Sequence, residues 1–193
     1  STVYGNSPEP VKHESQRPEP ITMYALTKLA GEHILEMYRA LYGFDYVALR
    51  FFNVYGPRQS PNHPYANVTC KFSQAAAQGA SIKLFGDGAQ TRDFIFIDDV
   101  VSSILTTLDG APSRIYNVGT SQDHAIITLI ETLEQLVDRP FEIERGDPWP
   151  NDIRKIIAST ERLCAETSWR AQVSLREGLA QTVAFFQDEQ GRP

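Results

Sequence analysis

A tyrosine and a lysine four residues apart, Tyr24 and Lys28, stand at the head of an amphipathic run, Ile21 to Tyr38. On an α-helix, residues at i and i+4 share one face with their Cβ atoms close together, so the two side chains can address a single ligand. A phenol is a poor base at neutral pH because its ordinary pKa is about 10, but an ammonium held nearby favours the phenolate. Such a pair can take a proton from a hydroxyl group while hydride leaves the same carbon. The spacing alone does not separate this chemistry from a surface tyrosine beside a solvated lysine, so the surrounding elements decide.

From Tyr24 to about Tyr42, Leu26, Leu29, Ala30, His33, Ile34, Met37 and Leu41 recur at helical spacing, with Glu32, Glu36 and Arg39 opposite and Gly43 as C-cap. The residues before it read as a short β-like tail and a loop rich in Pro and Glu, holding Pro8, Pro10, Pro18 and Pro20. Tyr46 to Gly56 reads as one buried strand. Val68 to Gln78 is expected to be helical, the segments from Ser81 and Phe94 to be strands, and Asp98-Asp99 to cap a helix running to about Leu108. Arg114 to Thr120 predicts a strand, Ile126 to Asp138 a helix, Phe141 to Asp147 a strand, and Leu175 to Glu189 a helix with Ser174 as N-cap and Glu177 at capping-box spacing. Strands and helices alternate throughout, which predicts an α/β fold.

The chain has 193 residues, enough for a substantial core, with 41% hydrophobic and 22% charged residues as in ordinary globular proteins. Its net charge of −6 opposes general nucleic-acid binding. No apolar run suits a membrane span, no signal peptide precedes the first residues, and Cys70 and Cys164 lie far apart, so a reduced cytoplasmic setting is expected. His13, His33, His63 and His124 lack metal-ligand spacing, and no metal is expected.

Four segments in order, Tyr24-Ala-Leu-Thr-Lys28-Leu-Ala-Gly-Glu32, Arg50-Phe-Phe-Asn-Val-Tyr-Gly-Pro-Arg58, Gly86-Asp-Gly-Ala-Gln-Thr-Arg92-Asp-Phe94 and Tyr116-Asn-Val-Gly119, resemble the extended short-chain dehydrogenase/reductase family, specifically its NAD-dependent nucleotide-sugar epimerases and dehydratases. The resemblance covers essentially the whole chain. It implies the C-terminal part of a Rossmann-type doubly wound sheet plus a smaller α/β substrate-binding domain. Residues 1–60 would be the remnant of the NAD-binding domain with the catalytic helix, and 61–193 mainly the nucleotide-sugar domain, with some segments returning to the sheet.

By that resemblance Tyr24 is the catalytic base, Lys28 lowers its pKa and binds the nicotinamide ribose, and Phe52 lies beside the cofactor, NAD. Asn53, Asn67, Arg92, Arg58 and Asp152 are implied on the side of the substrate, a nucleotide-diphosphate sugar. Arg92 suits a clamp on a diphosphate because its planar fork donates two parallel hydrogen bonds; the alternative for it is a surface ion pair with Asp93 or Asp87. Family members often pair two copies through the tyrosine-bearing helix, so a homodimer is implied, and apolar faces and a strand edge are expected to be exposed.

The pattern is not matched everywhere. Trp149 stands where an arginine three residues before Asp152 is usual, leaving Arg145, Arg154 or stacking on the indole as substitutes. The family's catalytic hydroxyl would fall immediately before Ser1, so Ser1 or Thr2 would have to shift into its role. No Gly-rich turn of the dinucleotide-binding type occurs, and the chain is expected to lack that half of the cofactor site. Dehydratases place Asp-Glu where Ser1 and Thr2 stand, and neither is a carboxylate. The preferred reading is therefore an NAD-dependent 4-epimerase of a UDP-hexose type of sugar, acting through a 4-keto intermediate. The alternatives are a non-catalytic fragment that binds a nucleotide sugar or a partner, and a nucleotide-sugar dehydratase.

Overall fold

The computed structural model describes residues 1–63, 66–148 and 154–190. Asp152 and Trp149 lie outside them. The long helix α1 spans Met23–Tyr42; the Thr22 hydroxyl caps it by accepting from Ala25 N–H at 3.1 Å, and Gly43 ends it at φ 66° with its N–H on Arg39 O. Ahead of it, Thr2–Tyr4 form a single 3₁₀ turn rather than the expected β-like tail. The Tyr4 ring is fully buried and its hydroxyl donates to Asn117 Oδ1 at 2.6 Å, which draws the backbone inward and away from an extended path. Gly5 follows at φ 54°, where a Cβ would lie 1.8 Å from Glu19 O; only glycine lets this turn rest on the residues that lead into α1.

The predicted strand after α1 is divided. Strand β2 (Val47–Phe51) pairs in parallel with β7 (Arg114–Val118), whereas β3 (Asn53–Tyr55) pairs in parallel with β6 (Phe94–Phe96). Phe52 N–H still bonds Val118 O, but Asn53 N–H bonds Asp93 O. The chain therefore changes partner at Phe52, and Asn53 is the first residue on the far side.

A further parallel pair and a mixed four-stranded sheet complete the scaffold. Strand β4 (Ile82–Phe85) joins β9 (Ile143–Gly146), and a four-stranded sheet has the order β1 (Val11–Lys12), β10 (Lys155–Ala158), β5 (Thr91–Arg92), β8 (His124–Ala125), antiparallel only between β5 and β8. The segment read as a turn between Gly86 and Asp93 thus ends in a strand, and the Pro-rich loop contributes another. Helices α2 (Val68–Gln78), α4 (Ile126–Val137) and α6 (Leu175–Gln190) enclose the main core with Phe72, Leu84, Leu129, Leu133 and Leu179. Helices α3 (Ile97–Leu108) and α5 (Glu161–Glu166) cover a second cluster around Val118, Leu163 and Trp169. No helix among the described residues is long and apolar enough to cross a membrane.

Two expectations are corrected. Asp98 and Asp99 do not cap α3: its N-cap is Phe96, without a side-chain cap bond. Asp99 is instead buried, its carboxylate accepting from Gln172 N–H at 2.9 Å and Val173 N–H at 3.0 Å, which fastens the chain before α6 onto α3. The apolar face of α1 is also largely outward, with Leu29 the half-buried exception. Leu26, Ile34, Met37 and Leu41 are exposed, while Ala25 and Glu32 are the buried positions. Arg50 on β2 accounts for the burial of Glu32, which it meets with two hydrogen bonds of 2.8 and 2.7 Å, while Glu36 and Arg39 stay exposed.

Candidate active site

Tyr24 and Lys28 project from the first turns of α1 into a groove of about 610 Å³. The strand β2, the Phe52 crossing and the opening 3₁₀ turn form its other walls, so Ser1, Thr2, Phe52, Asn53 and Asn67 line it too. The Lys28 ammonium stands 5.2 Å from the centre of the Tyr24 ring. Gly31 lies on the same wall with nothing within 4 Å of where a Cβ would be, which leaves bare helix backbone facing open space.

Asn53 and Asn67 also line a second pocket of about 270 Å³, with Arg92, Lys83, Phe85, Gln90 and Ile126. The two hollows therefore meet at the two asparagines. Asn53 Nδ2 donates to Asp93 O at 3.0 Å, which holds the side chain at the junction. Asn67 caps α2: its Oδ1 accepts from Cys70 N–H at 3.1 Å and its Nδ2 donates to Val54 O at 2.6 Å. The N-terminus of α2, with its partial positive charge, accordingly opens beside Asn53 and favours an anion there.

Arg92 Nη1 donates to Thr91 O at 2.8 Å, which steadies the guanidinium on its own strand. The alternative ion pairs for Arg92 are taken up elsewhere. Asp87 is bound by Arg154 at 3.1 Å, and its carboxyl is held below the usual range first by the Ala89 amide and then by that arginine. Asp93 is buried, accepting from Thr120 N–H and Oγ, Ser121 N–H and Ala158 N–H; burial raises its pKa while those bonds oppose the rise.

Ser1 N–H donates to Phe51 O at 2.9 Å. Phe52 is buried against Tyr4 and Ile156, so the core-packing role that its type suggests coexists with a place on the groove wall. Arg58 is not gathered with the others: it is exposed at φ 68° and lines neither hollow. Of the possible substitutes for the arginine at the nucleotide end, Arg154 is engaged with Asp87 and Arg145 is exposed on β9. The four histidines take part in no metal-type cluster among the described residues, and Cys70 and Cys164 are free thiols.

The sequence pattern missed Glu32, Gly31 and Gln90. Gln90 lies in the turn just ahead of β5, where strand alternation gives no signal. Glu32 carried a usable signal, being two turns from Tyr24 and one from Lys28 on one helix face.

A family model described as the NAD dependent epimerase/dehydratase family matches residues 1–119. The chain is 38% identical over 191 residues to a UDP-glucose 4-epimerase of Mycolicibacterium smegmatis, covering 97% of this chain and 60% of that protein. It is 32% identical over 195 residues to a dTDP-D-glucose 4,6-dehydratase of Homo sapiens, covering 96% of this chain and 54% of that one. Its fold is similar, with a TM-score of 0.92, to the crystal structure of UDP-glucose 4-epimerase with UDP-glucose from Thermotoga maritima, at 32% identity over 98% of this chain and 61% of that chain. The chain thus spans 54% to 60% of the length of these curated relatives.

Proposed function

The chain belongs to the NAD dependent epimerase/dehydratase family, and on that premise we propose that it forms the proton-transfer and sugar-holding part of a UDP-hexose type 4-epimerase. The observation that carries this reading is the continuity of the two hollows at Asn53 and Asn67, with Tyr24 and Lys28 in one and Arg92 in the other. Residues 1–60, with β7 returning beside β2, make the catalytic part in this reading, and 61–193 mainly the sugar-nucleotide part.

Arg92, the Asn53 amide and the N-terminus of α2 hold the diphosphate, fixing one end of a substrate whose sugar reaches toward Tyr24. The Tyr24 phenolate takes the proton of the C4 hydroxyl, and the Lys28 ammonium balances the phenolate charge before that transfer. A hydroxyl of Ser1 or Thr2 donates to the same oxygen and shares the proton path. The keto sugar then turns over while the diphosphate stays clamped, which would present the other face of C4 to the hydride source, and Tyr24 returns the proton to the C4 oxygen.

The nicotinamide end of NAD fits the groove, where Lys28 can bond a ribose hydroxyl, Phe52 offers an apolar wall and Gly31 leaves room. When bound, that group supplies the hydride acceptor and donor for the C4 carbon.

A dehydratase needs a further acid and base. Among the described residues the groove is lined by one carboxylate, Glu32, and both its oxygens are engaged by Arg50. This supports epimerisation over elimination of water. We place the protein in the cytoplasm, where free thiols persist, and take the exposed apolar face of α1 as the surface by which two copies pair. Incubating a chain in which a Gly-rich dinucleotide-binding half precedes these residues with NAD and UDP-glucose, and separating UDP-galactose by anion-exchange chromatography, tests the reading. Interconversion that Tyr24→Phe abolishes is expected; absence of turnover together with no calorimetric binding of UDP-glucose rejects it.

A further inference from the structure

We propose that Arg50 is a positioning residue which keeps the Lys28 ammonium available to Tyr24 by occupying both oxygens of Glu32. The inference rests on the reading of Tyr24 as a phenolate base. Tyr24, Lys28 and Glu32 fall at i, i+4 and i+8 of α1, so they follow one another along one face and all three line the same groove. A carboxylate one turn from Lys28 is the natural counter-ion for its ammonium. An ammonium so neutralised gives a phenolate little support.

The geometry prevents that capture. Arg50 Nε reaches Glu32 Oε1 at 2.8 Å and Nη2 reaches Oε2 at 2.7 Å, a two-pronged pair whose side chains are 4% and 10% exposed. Among the described residues Lys28 forms no ion pair, and its ammonium leans over the Tyr24 ring instead. Arg50 is itself held from behind, its guanidinium carbon 4.8 Å from the centre of the Tyr4 ring.

The other charged or titratable groups near Glu32 cannot replace Arg50. Tyr4, from the 3₁₀ turn, faces Arg50 rather than Glu32, and Tyr46 lies near Glu32 just ahead of β2. Glu36, on the next turn of α1, adds negative charge and is bonded to His33. None of them offers a second fork to a carboxylate, so loss of Arg50 leaves Lys28 as the cation best placed to reach Glu32.

A plain structural staple between α1 and β2 would explain the same pair, and the test separates the two. The phenolate of Tyr24 is followed in the 193-residue chain by ultraviolet absorbance against pH, each background being subtracted from the same background carrying Tyr24→Phe. Arg50→Met moves the appearance of the Tyr24 phenolate up by about one pH unit or more, the size expected when an opposite charge is withdrawn. Glu32→Met combined with Arg50→Met, which replaces the pair by apolar groups, returns it to the unmutated position.

Arg50→Lys, able to hold only one Glu32 oxygen, shifts it in the same direction by less, and keeps the test alive should Arg50→Met fail to fold. No shift in either single variant, or a double variant displaced as far as the single, overturns the proposal and leaves the epimerase reading standing. A Tyr24 phenolate that appears only near the ordinary phenol value, about 10, in the unmutated chain overturns both.

Discussion

Asn53 Nδ2 donates to the backbone oxygen of Asp93 at 3.0 Å, and Asn53 N–H bonds the same oxygen at 3.0 Å, so the asparagine between the two hollows is fixed twice to one residue. Asp93 is in turn immobilised through its carboxylate, which gathers the loop after β7 and the strand β10. Asp93→Asn keeps the shape but replaces one acceptor oxygen by an amide that meets N–H groups. Leaving buried donors unsatisfied in this way is expected to cost about 2–4 kcal/mol. Urea denaturation measures that loss, and calorimetry should show UDP binding weakened more than in Leu129→Ala, a core variant that does not touch Asn53.

Arg92→Lys preserves the charge and removes the fork. Were Arg92 the diphosphate clamp, affinity for UDP would fall by about tenfold or more, with a smaller loss for UMP, because a lysine acts as a point charge and cannot make two parallel bonds. Calorimetric titration with both nucleotides checks the ratio. Equal losses for UDP and UMP would place the guanidinium away from the second phosphate.

The outward face of α1 gives a third expectation. Met37, Leu41 and Tyr42 are 60%, 67% and 73% exposed, a run of apolar surface on one long helix. Met37→Glu with Leu41→Glu should convert a sedimenting dimer to monomer while leaving the melting temperature of the monomer within the small range usual for surface changes. A monomeric unmutated chain at the concentrations used for binding would remove this face from the assembly.

The helices were legible where caps and period agreed. Helix α2 covers the Val68–Gln78 that its pattern predicts, because Asn67 and Gly79 close both ends locally. The two-residue strands β1, β5 and β8 were not, since their pairing depends on partners far away in the chain, as Val11 with Ile157. Nor was the inner face of α1, whose outward residues are largely the apolar ones; Glu32 is buried there by Arg50, a residue on another element. In the site, Tyr24, Lys28, Ser1, Thr2, Phe52, Asn53, Asn67 and Arg92 line the joined hollows. Arg58 does not, because the left-handed backbone after Gly56-Pro57 turns it to solvent, a reversal that residue types alone do not announce.

The capping box at the start of α6 supplies a pH test. Ser174 Oγ donates to Glu177 Oε2 at 2.6 Å, Ser174 N–H adds a bond of 3.0 Å, and Glu177 N–H returns one to Ser174 Oγ at 3.3 Å. The hydroxyl bond first, and the amide bond second, hold the Glu177 carboxyl below its usual value. A carboxyl depressed in the folded state contributes stability above the unfolded value, about 4.3, and loses it as pH falls through the folded value. Glu177→Gln should therefore melt below the unmutated chain at pH 7, and the difference should close as the medium is acidified past that range. Ser174→Ala behaves differently: it also strips the acceptor from Glu177 N–H, a loss of about 1 kcal/mol typical of an N-cap, and part of its deficit should persist in acid. Thermal melts of the three chains across pH would show one gap closing and the other remaining; two gaps that close together would mean that the Ser174 oxygen is not the acceptor for that amide.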